Sequence, residues 1–434
     1  MLITSFEFWL FFLGFCSLYF FLPRKGQWIW LAAGNIFFLS SWGLPTVAAA
    51  VWSLSFHLFA AYSLLQDGRS KRSRLSIACL AVAMQILLII FSRVYLPDVP
   101  LTGLSYFSLM LVAFTLDCYW KRYSRLDSAS GLALGFSFFP LMSVGPIQPV
   151  SHFLPQLQQR KTLSSENLKL GLYLIARGFF KVTTIANVLK SVIQHDQPLA
   201  LELAGGGLAL YGFLAYFQLY ADFSGAVDIV RGISKILGFD IVENFNQPYL
   251  AAHFSDIWQR WHISLTTWLR HYVFLPLLVT TRSLAFSSFV VILLVGAWHG
   301  LGLDYLLWSF YWMFVLLILL AVPKKTPFIL RLLLTQALIA LSTLCFLVPK
   351  AGFFNLLNRL FSFGSSSFHL FQTNTNLSSL EWALLFLALV FMAVFESFDK
   401  KSPQAYLNSK ILVLIFLIAF AGQFESGQLF YMRL

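Results

Sequence analysis

Within RWHISLTTWLRHY, residues 260–272, the chain sets His262 and His271 among two arginines and two tryptophans. VGAWHGLG, residues 295–302, adds His299 after some fifteen apolar residues, in a chain with eight histidines in all. A neutral imidazole with a pKa of about 6.5 can take a proton from a hydroxyl and return it to a leaving group. An ionisable side chain inside an apolar run is expensive to place, which makes His299 a functional candidate. The alternative is a histidine hydrogen-bonded to a neighbouring helix. Gly296, Gly300 and Gly302 permit close approach of backbone or substrate and weaken a helix just past His299. HGLGLD, residues 299–304, puts Asp304 five positions on. Five positions on a regular helix point about 140° apart, so Asp304 reads as a loop-end residue.

Residues 253–272, taken as one helix at about 100° per residue, group Trp258, Trp261, His262, Leu265, Trp268 and Leu269 on one face. Asp256, Arg260, Thr267 and Arg270 lie roughly opposite. Such a helix lies at a membrane interface or lines a cavity, with His262 pointing among the tryptophans. Upstream, YFQLYADFSGAVDIVRG, residues 216–232, carries Asp222 and Asp228 in or beside an apolar run, with Ser224 and Gly225 between them. Buried carboxylates must be paired or hydrogen-bonded, and Arg231, Arg260 and Arg270 are the candidate partners. ENFNQPY, residues 243–249, sets Asn244, Asn246 and Gln247 before a proline, the composition of a rigid polar turn. Structural support and substrate contact both remain open for these residues. No glycine-rich phosphate loop, G-x-S-x-G elbow or Cys/His metal spacing is present, so nucleophilic serine or cysteine catalysis has no support.

The elements that must hold these residues follow from composition. Hydrophobic residues make up 59% of the 434 and charged residues 11%. Mean hydropathy is +0.75, which excludes a soluble globular protein. A bilayer core of ~30 Å needs a helix of about 20 apolar residues. The apolar runs predict about ten to twelve transmembrane helices, with the short runs at 129–144 and 284–298 re-entrant or buried. Basic clusters at 24–25, 68–74, 121–125, 324–325 and 400–401 place those loops in the cytoplasm and both chain ends outside. The net charge of +12 is therefore topogenic, and no nucleic-acid partner is assigned. Cys16, Cys79, Cys118 and Cys345 stand singly in apolar runs, as small core residues do.

The continuous block QLYADFSGAVDIVRGISKILGFDIVENFNQPYLAAHFSDIWQRWHISLTTWLRHY, residues 218–272, together with GAWHG at 296–300, resembles the membrane-bound O-acyltransferase family. The similarity is to the branch of alginate O-acetyltransferases and teichoic-acid D-alanyl transferases. Weaker matches run through 103–119, 135–157 and 171–189, and LFYMRL at 429–434 is similar to the family's aromatic ending. His271 stands where the branch has Asp, and LLVTTRS, residues 277–283, where it has a Gly-Gly loop with basic residues. The resemblance implies one all-α, polytopic domain over 1–434, its helices ringed about a central funnel or tunnel. Residues 1–128 then form N-terminal helices, 129–312 a core with both histidine segments, and 313–434 C-terminal helices.

The same resemblance makes His299 the catalytic base and His262 a second functional position. Trp298, Trp261, Asp222, Ser224, Asn246, Gln247, Arg260 and Arg270 become the candidate substrate contacts. It implies a bacterial inner-membrane enzyme that moves an acyl group, acetyl first, to an extracytoplasmic polysaccharide or to a periplasmic SGNH-type relay protein. The donor would be acetyl-CoA or an acyl-carrier thioester, with no permanently bound cofactor and no metal. D-alanyl, protein or lipid acyl transfer on the same fold, and transport of an acylated substrate, are the competing readings.

Overall fold

A computed structural model describes residues 1–95, 103–124, 128–194, 203–300, 302–323, 325–347, 353–362, 379–401 and 406–423. The aromatic ending at 429–434 and parts of the basic clusters at 121–125 and 324–325 lie outside the described residues. Every regular element among those described is helical. Five helices are long and apolar enough to cross a membrane: Leu44–Leu65, Lys71–Ser92, Ser165–Ile193, Leu303–Ala321 and Trp382–Lys400. Phe328–Leu347 runs 20 residues, while four further apolar helices, Phe6–Tyr19, Leu104–Tyr119, Leu284–His299 and Leu407–Ala421, run only 14–16. At 1.5 Å per residue these shorter helices fall below the ~30 Å of an ordinary hydrocarbon core. Length thus separates two classes within what the sequence presents as one series of ten to twelve apolar runs.

The chain divides into two compact units that alternate along the sequence. One comprises Met1–Ile175 with Ala226–Glu243, the other Ala176–Gly225 with Asn244–Leu434. The first unit begins with α1 (Phe6–Tyr19), α2 (Arg24–Ser40), α3 (Leu44–Leu65), α4 (Lys71–Tyr95) and α5 (Leu104–Tyr119). Polar residues that the apolar runs conceal join these helices. His57 Nδ1 lies 2.7 Å from Thr115 Oγ1 between α3 and α5, and Gln85 Nε2 donates to Ser108 Oγ at 2.5 Å between α4 and α5. Arg74, within the basic cluster at 68–74, donates to Leu64 O at 2.5 Å and Tyr119 O at 2.7 Å. It thereby satisfies carbonyls that the ends of α3 and α5 leave open.

The run at 129–144 is broken into α6 (Ala129–Phe136) and α7 (Phe139–Val144), and most of it is buried. Buried Asn35 holds the break: its Nδ2 donates to Ser137 Oγ at 3.0 Å, and its Oδ1 accepts from Phe139 N at 2.9 Å. The unit is completed by α8 (Val150–Leu157), most of α9 (Ser165–Phe179) and the final turns of the 32-residue α11 (Gly205–Ile236).

The second unit contains the π-helical segment Phe180–Ala186, α10 (Asn187–Gln194) and the first two-thirds of α11. After Asn244 it continues through α12 (Phe254–Arg260), α13 (Ile263–Leu269), α14 (Leu275–Thr281), α15 (Leu284–His299) and α16 (Leu303–Ala321). Beyond these come α17 (Phe328–Leu347), α18 (Phe353–Leu360), α19 (Ser379–Lys401) and α20 (Leu407–Ala421). Five charged side chains among these apolar helices pair with one another. Lys181 Nζ lies 2.5 Å from Glu396 Oε1, and Asp399 accepts from both Arg177 and Lys410 at 2.8 Å. Tyr220 and Tyr249 also donate to the Glu396 carboxylate, at 2.8 and 2.7 Å. Charges buried at this depth persist only when paired and hydrogen-bonded.

Candidate active site

The single helix expected over 253–272 is interrupted at its centre. α12 ends at Arg260, Trp261 is extended, and His262 takes the left-handed conformation at φ 46° and ψ 53° before α13 begins. The cause lies about twenty residues upstream, in the polar turn at 243–249. Asn244 O accepts from Ile263 N at 2.9 Å, and Asn246 N donates to Arg260 O at 2.9 Å, so the turn clasps the break through its backbone. The Asn244 side chain adds a cap, its Oδ1 accepting from Ser264 N at 3.0 Å and Ser264 Oγ at 2.9 Å. His262 Nδ1 lies 3.2 Å from the same oxygen. These bonds satisfy N-terminal donors of α13, as a capping side chain does, from a distant part of the chain.

Removal of that oxygen is expected to be felt in stability. Asn244→Ala should lower stability by about 2 kcal/mol, the upper range for loss of a cap. Thermal unfolding in detergent measures it, and an unchanged midpoint would show that the clasp is carried by backbone alone.

His262 is 4% exposed, with its ring edge-on to Phe223 at 5.0 Å. It stands outside the five candidate spans. Burial pushes its imidazole down to about 3, and the neighbouring His299 further disfavours a positive charge there. At neutral pH His262 is therefore an uncharged hydrogen-bonding group. His299 is the last residue of α15 and is half-buried, its ring edge-on to Trp308 at 5.7 Å. Gly296 brings α15 against α16 one turn before it: a methyl group there would overlap Ser309 Oγ and sit 2.7 Å from Tyr305 O. Only glycine allows that approach, which fixes the end of α15 relative to Trp308. Asp304 falls in the first turn of α16, a favourable place for a carboxylate against the helix dipole.

His262 and His299 line one cavity of about 90 Å³. Its wall is aromatic and aliphatic, dominated by Tyr216, Trp258, Trp261, Trp308 and Trp312, with Ser342 and Thr343 contributed by α17. Among the described residues no Asp, Glu, Lys or Arg lines it. Of the candidate catalytic and substrate residues, His299, His262 and Trp261 meet at this wall, joined by Trp258 and Leu265 of the predicted helix face. The other candidates stand elsewhere. Trp298 is half-buried on the helix that carries His299, and Asp222 and Ser224 are buried within α11. Asn246 Oδ1 accepts from Lys400 Nζ at 3.0 Å, and Gln247 Nε2 donates to Ser397 Oγ at 2.7 Å. Arg260 Nη1 donates to Asn246 O at 3.1 Å, and Arg270 is exposed. Arg231 pairs with Glu243 at 3.0 Å.

The residues that sequence reasoning passed over are Tyr216, Trp308, Trp312, Ser342 and Thr343. Trp308 and Trp312 carry a signal, since they share a helix face four residues apart directly after the His299 segment. Among the described residues no three His, Cys, Asp or Glu side chains gather as a metal site.

The geometry can be set beside known proteins. The model of the membrane-bound O-acyltransferase family matches residues 46–328. The probable alginate O-acetylase AlgI of Pseudomonas aeruginosa is 30% identical, over 71% of this chain and 61% of its own length. The peptidoglycan O-acetyltransferase of Helicobacter pylori is 27% identical, over 65% of this chain and 62% of its own. The teichoic acid D-alanyltransferase of Bacillus subtilis is 31% identical, over 40% of this chain and 47% of its own. The chain thus spans less than two-thirds of the length of each of these relatives.

Proposed function

The chain belongs to the membrane-bound O-acyltransferase family, and on that premise we propose that it moves an acetyl group from a cytosolic thioester to a hydroxyl outside the bacterial inner membrane. One observation carries this reading: two histidines share the wall of a small, otherwise uncharged aromatic cavity. His299 takes the proton of the acceptor hydroxyl, whose oxygen attacks the thioester carbonyl carbon. The C–S bond then breaks, the sulfur leaves with the proton returned by His299, and an ester remains. His262, neutral and with its Nδ1–H directed at Asn244 Oδ1, orients the acceptor hydroxyl, which donates to Nε2.

Cavity size and charge support a short neutral acyl group. A cavity of ~150 Å³ admits a molecule the size of benzene. About 90 Å³ accommodates an acyl group of two or three carbons beside the histidines, and among the described lining residues no carboxylate stands ready for an ammonium. The relatives' names specify alginate, peptidoglycan and teichoic acid, which supports a cell-surface polymer as the final acceptor. That hydroxyl belongs to the polymer itself or to an SGNH-type relay protein outside. The donor is acetyl-CoA or an acylated carrier protein, and the N-terminus faces outward.

Ester-linked acyl groups on surface polymers, released by base and identified by mass spectrometry, test the proposal. A strain lacking the gene should lose an acetyl ester that the restored gene returns. Equal ester content in both strains would overturn it, and a D-alanine mass would move the reading to aminoacyl transfer. His262→Ala should retain the fold and lose about 10-fold or more in rate, the worth of one hydrogen bond that positions the acceptor hydroxyl. An unchanged rate would make His262 a packing residue.

A further inference from the structure

Three donor groups on the walls of the His299 cavity are buried and find no partner among the described residues: Trp258 Nε1, Trp312 Nε1 and Tyr216 Oη. Tyr216 and Trp312 are 1% and 5% exposed. Burying an N–H without a partner is costly, and proteins satisfy nearly all such groups. Two neighbouring polar groups of the wall are satisfied within the protein. Trp308 Nε1 donates to Ser342 Oγ at 3.2 Å, and Thr343 Oγ1 donates to Ile339 O at 3.1 Å. Two of the three unmatched groups are donors only, and the third can donate. Three donors are thus left to whatever enters the cavity.

Trp258 and Trp312 come from different helices, α12 and α16, and their rings stand 5.6 Å apart. Trp312 is also 5.9 Å from Trp308, the ring against which His299 packs. The unmatched indoles thus belong to the same aromatic cluster as the imidazole that removes the proton. A neutral thioester carbonyl brings one acceptor oxygen, and attack by the acceptor hydroxyl turns that oxygen into an anion. Donors arranged in an apolar site stabilise such an anion far more than they would in water.

We propose that Trp258 and Trp312, assisted by Tyr216, form the oxyanion-binding wall of this site, their N–H and O–H groups receiving the carbonyl oxygen as it becomes negative. The inference rests on the acyl-transfer reading and assigns it a part that neither histidine supplies. The imidazole of His299 moves a proton, while the indoles hold charge. Because the donors meet the oxygen most strongly after attack, their loss lowers kcat and leaves the donor KM little changed.

Isosteric replacement tests this without disturbing packing. Benzothienylalanine at position 258 or 312, incorporated by codon suppression, keeps the bicyclic ring and exchanges N–H for sulfur. Each replacement should lower kcat about 10- to 100-fold, the worth of a hydrogen bond to a charged acceptor. Tyr216→Phe, which removes one oxygen, should lower kcat in the same direction by a smaller factor. Rates are read as ester formed per membrane-resident protein, with the wild type and His299→Ala alongside. Normal kcat in both indole replacements, with ester made by the wild type and abolished in His299→Ala, overturns the oxyanion assignment and leaves the transferase reading intact. A wild type that forms no ester overturns both. A rise in donor KM at unchanged kcat would also overturn it, since the indoles would then bind ground state and transition state alike.

Discussion

Replacement of His299 by alanine is expected to lower ester formation by about 10²- to 10⁴-fold, the contribution of one positioned general base. The fold should survive it. His299 is the terminal residue of α15, half-buried, with its ring edge-on to Trp308 at 5.7 Å. An aromatic contact of that kind contributes about 0.5–1.5 kcal/mol, small beside the effect on rate. The helix end itself depends on the close approach at Gly296, which the substitution leaves untouched. Polymer ester content at matched membrane abundance, paired with thermal unfolding in detergent, separates the two effects. Ester at the wild-type level in a well-folded His299→Ala protein would remove His299 from the chemistry.

The second large effect is on stability and lies away from the cavity. Glu396→Leu deletes the carboxylate that faces Lys181 and receives the hydroxyls of Tyr220 and Tyr249. Lys181 and Glu396 are 4% and 8% exposed at their side chains, so water cannot compensate. Breaking a buried pair from one side costs about 3–5 kcal/mol. The unfolding midpoint should fall steeply, and membrane abundance with it. Lys181→Met added to Glu396→Leu should recover most of the loss, because a well-packed apolar pair often replaces an ionic one at little cost. Failure of the double substitution to recover stability would mean that the tyrosine hydroxyls, and not the charge pair, need the carboxylate. Tyr249 belongs to the Pro248–Leu250 turn, and Pro248 lines the cavity, so the single substitution should also slow transfer.

His262 and His299 were legible in the sequence because an imidazole within an apolar run needs a reason. Their shared cavity was not. Residues 253–272 have the spacing of one amphipathic helix, and nothing within them announces a break between Trp261 and His262. The break is imposed by Asn244, whose oxygen reaches Ser264 across twenty positions of sequence. Helical periodicity reports local preference and is silent about a cap supplied from elsewhere. The same turn explains Asn246 and Gln247: composition marks them as polar and rigid, and they serve as anchors to Lys400 and Ser397. Trp308 and Trp312 are visible as a helical pair, yet periodicity alone cannot tell a catalytic wall from a packed core. Lys181, Glu396 and Asp399 were open to the reasoning that found the histidines, being charges in or beside apolar runs. Their partners, more than 200 positions apart for Lys181 and Glu396, follow only from tertiary structure.

The left-handed backbone at His262 sets stability and activity against each other at one residue. A side chain at φ 46° is tolerated at a cost that glycine would not incur. Any programme of mutation and screening that rewards thermal resistance alone will therefore favour glycine at 262, and will accumulate robust, inactive descendants. An improvement campaign for this protein needs turnover in its screen from the first round, because one of its left-handed backbone positions carries one of its two functional imidazoles.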